Sequence, residues 1–312
     1  MSDVALGPGR EFDAIRAMVE RWGPRARGIG DDGAIVHIPR GDSLVVSVDS
    51  SIEDQHFRRD WLSAREIGYR SVAAALSDLA AMAARPLGVL VAISIPPEWR
   101  NALLDIGDGI GDAVGQAGTV IVGGNLSGGR ELSITTTVLG FAYKPLARSG
   151  AEPGDRVYVT GRLGGPGAAI ASLERGEQPT QHARDAYARP TPRLAEAVWL
   201  AEQGASAAID ISDGLAGDLA HLAAASKISI AVDVDRIPTI DGIEPHAALR
   251  SGEEYELIVT SPRELDSAAF AQRFRIPLTE IGRVTTRESE TNVVLRQGGN
   301  RVANPRGHDH FS

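Results

Sequence analysis

The sequence predicts a mixed α/β protein built from two domains. Its 312 residues are about twice the usual length of one domain. Short apolar runs typical of strands alternate with alanine-rich segments that have helical spacing. Residues 143–154, rich in Gly, Pro and charge, interrupt that pattern near the middle of the chain. We therefore expect an N-terminal domain over residues 1–145 and a C-terminal α/β domain over residues 146–312.

The first half is predicted to begin with a helix, because apolar residues between Phe12 and Trp22 recur at helical spacing. An alanine-rich helix follows and ends near Pro86, which cannot continue it. This alanine-rich helix covers residues 64–84, and a further helix is predicted at residues 103–117. The predicted strands are residues 44–49, 89–95, 119–122 and 132–141.

The second half is predicted to begin with a strand and a glycine-rich turn at residues 161–167. Pro192 suits the first turn of a helix that continues to residue 203. The first strand covers residues 156–160, and further strands are predicted at residues 207–211, 228–234, 255–260 and 279–284. Further helices are predicted at residues 215–225 and 263–274.

Composition excludes several classes of protein. The formal charge of −9 argues against a nonspecific DNA-binding surface. The absence of Cys excludes disulfides, thiolate nucleophiles and iron–sulfur sites. The chain has two lysines, Lys144 and Lys227, and neither stands in a P-loop or protein-kinase motif. A nucleotide site would therefore depend on arginine, backbone amides and metal.

Targeting signals are not apparent in the sequence. The first 22 residues contain no apolar run long enough for a signal peptide. The most apolar stretch, residues 73–97, is interrupted by Asp78, Arg85 and Pro86, which argues against a membrane span. We therefore expect a cytoplasmic protein that binds neither membrane nor nucleic acid.

Several aspartates occupy positions that ordinary patterning does not explain. GIGDD at residues 28–32 is a turn with paired aspartates, and Asp49 ends a predicted strand. Asp78 interrupts an apolar helix, where a lone carboxylate is unfavourable unless paired. The end of a strand, where Asp49 lies, is where ligands of α/β sheets bind. DISDG at residues 210–214 puts two aspartates and a hydroxyl at the junction of a strand and a helix. Because Mg²⁺ prefers oxygen ligands together with phosphates and water, this pattern indicates a site for divalent cations and a phosphate chain.

Simpler interpretations stay open for each feature taken alone. Residues 31–32 could form an Asx turn, and Asp213 could cap a helix. The glycines of residues 121–125 and 161–167 could bring backbone amides to a phosphate or could only form tight turns. His56 alone is more typical of a structural or surface residue than of a ligand.

Taken together and in order, these segments resemble the thiamine-monophosphate kinase family. That family belongs to a superfamily with aminoimidazole ribonucleotide synthetase and selenophosphate synthetase. The resemblance runs over essentially the whole chain. The matching segments are GIGDD (28–32), SVD to HF (47–57), SDLAAM (77–82), IVGGN (121–125), RSG to PGD (148–155), RP (189–190), DISDGL (210–215), GEEYEL (252–257) and DHF (309–311).

The resemblance implies a two-domain synthetase-like fold whose N-terminal domains bind metal and ATP and pair into a β-barrel at a homodimer interface. It implies phosphoryl transfer from ATP to thiamine phosphate, giving thiamine diphosphate and ADP, with several Mg²⁺ ions. The implied metal ligands are Asp32, Ser47, Val48, Asp49, Asp78, Asn125, Asp210 and Asp213, and the implied catalytic set is Asp49, Asp78 and Asp210. The implied ATP contacts are Gly124, Asn125, Arg148 and Ser212, and the implied contacts with thiamine phosphate are His56 and Glu253.

Four positions depart from the family pattern. Val48 stands where a hydroxyl residue is usual, so a ligand there would be its backbone carbonyl. Asn125 replaces an aspartate found in some members. Gly107 stands at the position of an ATP-contacting tyrosine, and Pro305 at that of an aromatic residue expected against the thiamine rings.

Two other functions are compatible with these residues. The chain could be another ATP-dependent enzyme of the same superfamily, although the absence of Cys argues against selenophosphate synthetase and hydrogenase-maturation chemistry. It could also bind nucleotide or thiamine phosphate without catalysis.

Overall fold

The computed structural model describes residues 10–26, 37–287 and 292–305. The chain forms two compact units. Unit 1 comprises Met1–Leu79 and Arg85–Lys144, and unit 2 comprises Ala80–Ala84 and Pro145–Ser312. A mixed α/β fold with two units is therefore observed.

Unit 1 contains a four-stranded sheet in the order β1-β4-β2-β3. Strands β1 and β2 both pair antiparallel with β4, and β2 pairs parallel with β3. The strands are β1 (Ser43–Ile52), β2 (Arg85–Ile95), β3 (Ile121–Gly128) and β4 (Ser133–Ala142). The helices are α1 (Arg10–Trp22), α2 (Ala64–Ala81), whose last two residues belong to unit 2, and α3 (Leu103–Gln116).

One expectation for unit 1 is wrong. We expected a strand over residues 119–122 followed by a glycine-rich loop, but β3 runs through Gly123, Gly124 and Asn125 to Gly128. The parallel pairing with β2 continues over these glycines and gives their backbone groups ladder partners. A β-carbon on Gly124 would lie 2.0 Å from the carbonyl oxygen of Val91, so the glycine there permits close strand packing.

Helices α2 and α3 approach each other through two glycines. A β-carbon on Gly68 would lie 2.1 Å from the carbonyl oxygen of Ile106. One on Gly109 would lie 1.9 Å from the carbonyl oxygen of Arg65. The two backbones are therefore in direct contact, and this contact fixes the position of α2 within unit 1.

Unit 2 contains a seven-stranded sheet in the order β11-β10-β7-β9-β5-β8-β6. Only the pairing of β10 with β7 is parallel among the pairs described. The strands are β5 (Arg156–Thr160), β6 (Ala207–Asp210), β7 (Ser229–Asp233), β8 (Leu257–Ser261), β9 (Leu278–Thr285), β10 (Val293–Gln297) and β11 (Asn300–Val302). The helices are α4 (Gly165–Glu174), α5 (Gln181–Ala188), α6 (Leu194–Glu202), α7 (Leu215–Ser226), α8 (Pro245–Ala248) and α9 (Ser267–Phe274).

Both faces of this sheet are buried under helices. Side chains alternate along a strand. Accordingly, Val157 and Val159 of β5 belong to a core cluster with Leu219 of α7. Tyr158, between them, belongs to a second cluster with Phe270 of α9. This burial on both sides explains why the strands of the second half read as apolar runs.

Three expectations for unit 2 need correction. The glycine-rich turn at 161–167 ends earlier than expected, because Gly164 at φ 98° leads into helix α4, with proline in its first turn. The helix expected at 263–274 begins only at Ser267, where the Asp266 side chain accepts the Ala269 N–H at 2.9 Å as an N-cap. Elements α4, α5, α8, β10 and β11 were not predicted.

Among the described residues, no helix combines the length and the apolar character that crossing a membrane requires.

We predict that Gly109→Ala destabilises the protein. Alanine is intrinsically better than glycine inside a helix by about 1 kcal/mol. Here its β-carbon would meet the backbone of α2, so we expect a net loss of about 3 kcal/mol or more in the free energy of unfolding. Urea denaturation measures this change.

Gly115→Ala, in the same helix, is the matched control. Its β-carbon would meet only the far end of the Arg25 side chain, at 2.8 Å from Nε, and that side chain can move. The control should be neutral or stabilising. Equal effects of the two substitutions would contradict the close contact of α2 with α3.

Candidate active site

Three of the expected site residues of unit 1 share one face of its sheet. Ser47 and Asp49 are two positions apart on β1, so their side chains point to the same side. The Ser47 hydroxyl donates to Oδ2 of Asp78 at 2.5 Å, which ties β1 to helix α2. Oδ1 of Asp49 accepts the backbone N–H of Ser50 at 2.7 Å. The structure therefore brings Ser47 into contact with Asp78 and places Asp49 on the same face of the strand.

Asp78 lies in a helix segment whose neighbours are fully buried. Ser77 and Leu79 are 0 % exposed, whereas Asp78 itself keeps partial exposure. Its position is thus not that of an acid on a solvated helix face. A carboxylate in such surroundings needs hydrogen bonds or a cation, and Ser47 supplies one of the hydrogen bonds.

Val48 and Asn125 lie on the other face of the same sheet. Val48 falls between Ser47 and Asp49 on β1, and its side chain is 62 % exposed. The register aligns Asn125 with Ala92, Thr135 and Ser50, which alternate with the Asp49 face. The side chains of Val48 and Asn125 therefore point away from the Asp49 carboxylate, and a ligand from Val48 would be its carbonyl oxygen.

His56 lies in the turn that follows β1. Its Nδ1 accepts the backbone N–H of Ile52 at 3.1 Å, so the hydrogen of the neutral ring lies on Nε2. The turn is anchored by Glu53, whose carboxylate accepts the indole N–H of Trp99 at 2.8–2.9 Å and the backbone N–H of Leu132 at 3.3 Å. This anchoring leaves Nε2 as a fixed hydrogen-bond donor.

In unit 2, an acidic turn joins β6 to α7. Strand β6 ends at Asp210, which is buried, and α7 begins at Leu215 after a turn containing Ser212 and Asp213. Asp218, in the first turn of α7, accepts the backbone N–H groups of Ser212 and Asp213, both at 3.1 Å. The Asp218 side chain therefore holds this turn in shape.

The pKa of Asp218 is raised to about 8, first by burial and then by the charges of Asp210 and Asp213. The two backbone N–H bonds oppose that rise. Three carboxyls thus lie close enough to interact. Sequence reasoning missed Asp218, although its place in the first turn of a helix after a DISDG turn is a detectable signal.

A segment preceding β8 lies against the acidic turn. The backbone N–H of Glu253 donates to the carbonyl of Ser212 at 2.7 Å, and that of Tyr255 to the carbonyl of Ile211 at 2.9 Å. Glu253 and Tyr255 have φ of 60° and 52°, in the left-handed region that non-glycine residues rarely adopt. The structure therefore brings Glu253 beside Ser212, at a position of backbone strain typical of functional sites.

Two neighbouring glutamates hold this segment from inside unit 2. Oε1 of Glu254 accepts the Gly164 N–H at 2.6 Å. Glu256 forms a buried ion pair with Arg193 and accepts the Thr160 hydroxyl at 2.6 Å. Both are buried, so Glu254 connects the segment to the loop before α4, and Glu256 connects it to the end of β5 and to Arg193.

Arg148 lies at the other end of helix α7 from Ser212. Its carbonyl accepts the hydroxyl of Ser226, the last residue of α7, at 2.6 Å. Twelve helical residues span about 18 Å. Arg148 and Ser212 of one chain could therefore contact the same nucleotide only near its opposite ends.

A groove of about 580 Å³ opens in unit 2 beside the segment that carries Glu253. Its size is typical of small-molecule sites. Small and apolar side chains dominate its walls, with a few charged groups. The lining includes Gly164, Ala168, Ala171, Arg175, Asp241, Ile243, Arg250 and Ser251.

The remaining positions singled out from the sequence are buried or lie outside the described residues. Gly107 is buried in α3, where its carbonyl accepts the Trp22 indole N–H at 2.7 Å, so it serves packing. Pro305 is buried. Asp32 and the terminal DHF lie outside the described residues. Within the described ranges, no three acidic or histidine side chains converge as a ready-made metal cage.

We predict that Glu254→Gln flattens the dependence of stability on pH. Burial raises the pKa of Glu254 to about 8, from 4.5 for an ordinary glutamate. Its contribution to stability is therefore complete below about pH 4.5 and is lost as pH rises through about 8. Glutamine cannot ionise, so the variant should lose about 1.4 kcal/mol per pH unit of this slope.

Urea unfolding between about pH 5 and pH 8 measures the slope. Glu264→Gln is the control, because Glu264 has a side chain that is 75 % exposed. Parallel curves for the wild type and Glu254→Gln would contradict the prediction.

Comparison with known proteins identifies relatives over nearly the whole chain. Family models for the N-terminal and C-terminal domains of AIR synthase related proteins match residues 30–142 and 152–294. The thiamine-monophosphate kinase of Escherichia coli K12 is 35% identical, covering 91% of this chain and 92% of its own. That of Bacillus subtilis is 30% identical, covering 96% and 99%.

Solved structures agree with these relatives. The thiamine-monophosphate kinase of Stenotrophomonas maltophilia matches with a TM-score of 0.80 and 31% identity over 95% of this chain and 98% of that one. A structure described as AaThiL complexed with AMPPCP and TMP matches with a TM-score of 0.76 and 26% identity over 96% and 97%. The hydrogenase maturation protein HypE, at 20% identity and a TM-score of 0.80, shares the fold. The chain therefore belongs to the thiamine-monophosphate kinase family of AIR synthase related proteins.

Proposed function

We propose that this protein transfers the γ-phosphoryl group of ATP to thiamine phosphate and releases thiamine diphosphate and ADP. The observation that carries the proposal is the group formed by Ser47, Asp49 and Asp78, with Ser47 bonded to Asp78 at 2.5 Å. Curated relatives covering most of the chain are named for this activity. One related structure is described with an ATP analogue and TMP.

The residues present fit Mg²⁺. Among the described residues of unit 1, the donors are carboxylate and hydroxyl oxygens, which this cation prefers and usually binds together with phosphate and water. Bound there, Mg²⁺ would neutralise the phosphate charges and hold the phosphates in line. We propose several ions, and Asn125, on the opposite face of the sheet, would not share an ion with Asp49. The proposed ligands of the ions are Asp32, Ser47, the Val48 carbonyl, Asp49, Asp78, Asn125, Asp210 and Asp213.

The remaining predicted residues are proposed to bind the two substrates. Gly124, Asn125, Arg148 and Ser212 are assigned to ATP. His56, whose Nε2 carries the donor hydrogen, and Glu253 are assigned to thiamine phosphate. We assign the thiamine rings to the groove beside Glu253, because aromatic rings suit its small apolar lining.

The reaction needs little acid–base catalysis from the protein. The attacking atom is a phosphate oxygen, and a phosphate monoester with a second pKa of about 6 is largely ionised near neutral pH. A strong general base is therefore not needed. The chain's own residues act by fixing both substrates and the carboxylate geometry, which the Ser47–Asp78 bond and the anchored His56 turn provide. Because the donor is ATP, we propose that the enzyme works in the cytoplasm.

We predict that Asp49→Asn and Asp78→Asn each lower kcat at least about 100-fold without unfolding the protein. Asparagine keeps the size of aspartate and can still accept a hydrogen bond, but it is a neutral and weaker ligand for Mg²⁺. The assay incubates the chain with ATP, Mg²⁺ and thiamine phosphate and quantifies thiamine diphosphate. Asp60→Asn, an exposed aspartate of unit 1, is the control.

Wild-type protein that yields no thiamine diphosphate at any Mg²⁺ concentration would refute the proposed activity. Tight ATP binding without turnover would instead support a binding protein without catalysis. Near-normal turnover in either aspartate variant would refute its assignment as a metal ligand.

We also propose that residues 1–145 bind metal and ATP and form a homodimer through a β-barrel, while residues 146–312 form the C-terminal domain. The support is an apolar row on the edge strand β1, where Leu44, Val46 and Val48 are 50 %, 54 % and 62 % exposed. These residues lie on the same side of the strand. An exposed apolar row of this kind is typical of an interface.

We predict that the double change Leu44→Asp and Val46→Asp converts a dimer to a monomer, because a carboxylate buried at an apolar interface is unfavourable. Light scattering after size-exclusion chromatography measures the mass. Val46→Thr, which keeps the branched shape suited to a strand, should remain dimeric. A wild-type monomer, or a double variant that stays dimeric, would contradict the proposed interface.

A further inference from the structure

Thr136 is a polar residue in the middle of a buried sheet face. It lies on β4, where it pairs with Asp49 of β1 on one side and with Val91 of β2 on the other. It is 0 % exposed, and its hydroxyl oxygen has no hydrogen-bond partner. A buried hydroxyl without a partner is unfavourable, and valine would fill the same space without that cost.

The surrounding residues do not explain a threonine at this position. On the same face of β4, the neighbours of Thr136 are Ile134 and Val138, both apolar and fully buried. On the opposite face, the Thr135 hydroxyl has a partner, the Ser50 hydroxyl at 2.9 Å. Thr136 is thus a polar residue between two apolar ones, at the position of β4 that pairs with Asp49.

The register places Thr136 directly opposite Asp49 on the neighbouring strand. Residues directly opposite in an antiparallel pair point to the same face, with β-carbons about 4.5–5.5 Å apart. A threonine hydroxyl can reach a carboxylate over that distance by rotation about χ1. Asp49 uses Oδ1 to accept the Ser50 N–H, which leaves it further lone pairs for a second donor.

We propose that Thr136 is a positioning residue that donates its hydroxyl to the Asp49 carboxylate and orients that carboxylate toward a bound divalent cation. Thr136 is too buried to be a ligand itself, so it acts through Asp49. Hydrogen bonds to ligating carboxylates fix their direction and strengthen metal binding. The inference rests on the proposed function, because it requires a cation at Asp49.

The test compares Thr136→Val and Thr119→Val in the full-length chain. Thr119 is the matched control: it is a second threonine of unit 1, 7 % exposed, whose hydroxyl oxygen also has no hydrogen-bond partner. It precedes β3, outside the register of Asp49. Mn²⁺ binding, followed by electron paramagnetic resonance, reports cation affinity, and urea unfolding in EDTA reports the stability of the metal-free fold.

We expect Thr136→Val to weaken Mn²⁺ binding about 10-fold, with a metal-free fold at least as stable as the wild type. Thr119→Val should leave Mn²⁺ binding unchanged. Thr136→Ser, which keeps the hydroxyl, should restore affinity to within about 3-fold of the wild type.

Two results would overturn the inference while the proposed function stands. One is unchanged Mn²⁺ affinity in Thr136→Val when Asp49→Asn has lost binding. The other is a marked loss of metal-free stability in Thr136→Val, because the hydroxyl would then serve the fold. If the wild type and Asp49→Asn bind Mn²⁺ equally, the metal assignment fails and the inference fails with it.

Discussion

The hydrogen bond from Ser47 to Asp78 is the contact on which the candidate site of unit 1 depends. It joins a sheet strand to a helix and fixes a carboxylate in a segment whose neighbours are fully buried. The helix that carries Asp78 is in turn held by the direct backbone contact at Gly68 and Gly109. Small residues at a helix contact thus determine where a charged oxygen can lie, and that oxygen determines which cation and phosphate chain the face can accept.

In unit 2, hydrogen bonds to the backbone of a turn hold the acidic residues in place. The Asp218 carboxyl bonds the backbone of the turn that carries Ser212 and Asp213, and the Glu253 N–H bonds the same turn from the other side. Two buried glutamates connect this segment to the loop before α4 and to the end of β5. Burial, and after it the charges of Asp210 and Asp213, raises the pKa of Asp218. Carboxylate oxygens arranged in this way are the kind of ligand that a divalent cation prefers.

The mixed α/β class could be predicted from the sequence, because the spacing of apolar residues and the residues that end a helix are local signals. Sequence reasoning could single out Asp78, since one acid among alanines and leucines is anomalous without any structure. It could not place Asn125, because the continuation of β3 depends on pairing with β2. Thr136 could not be predicted either, because a threonine in a strand is ordinary in sequence and only its burial and register make it unusual. Asp218 was missed, although its place in the first turn of a helix after a DISDG turn is a detectable signal.

The central claim is that Asp49 and Asp78 jointly bind a divalent cation that carries the phosphates of ATP. A crystal structure of the chain with a nonhydrolysable ATP analogue, thiamine phosphate and Mn²⁺ tests it most directly, because Mn²⁺ is located by its anomalous scattering. We expect Mn²⁺ ions bound to oxygens of both carboxylates, at about 2.1 Å if Mn²⁺ follows the geometry of Mg²⁺, with phosphate oxygens completing their shells. Mn²⁺ bound elsewhere, with both carboxylates unliganded in the presence of the nucleotide, would contradict it.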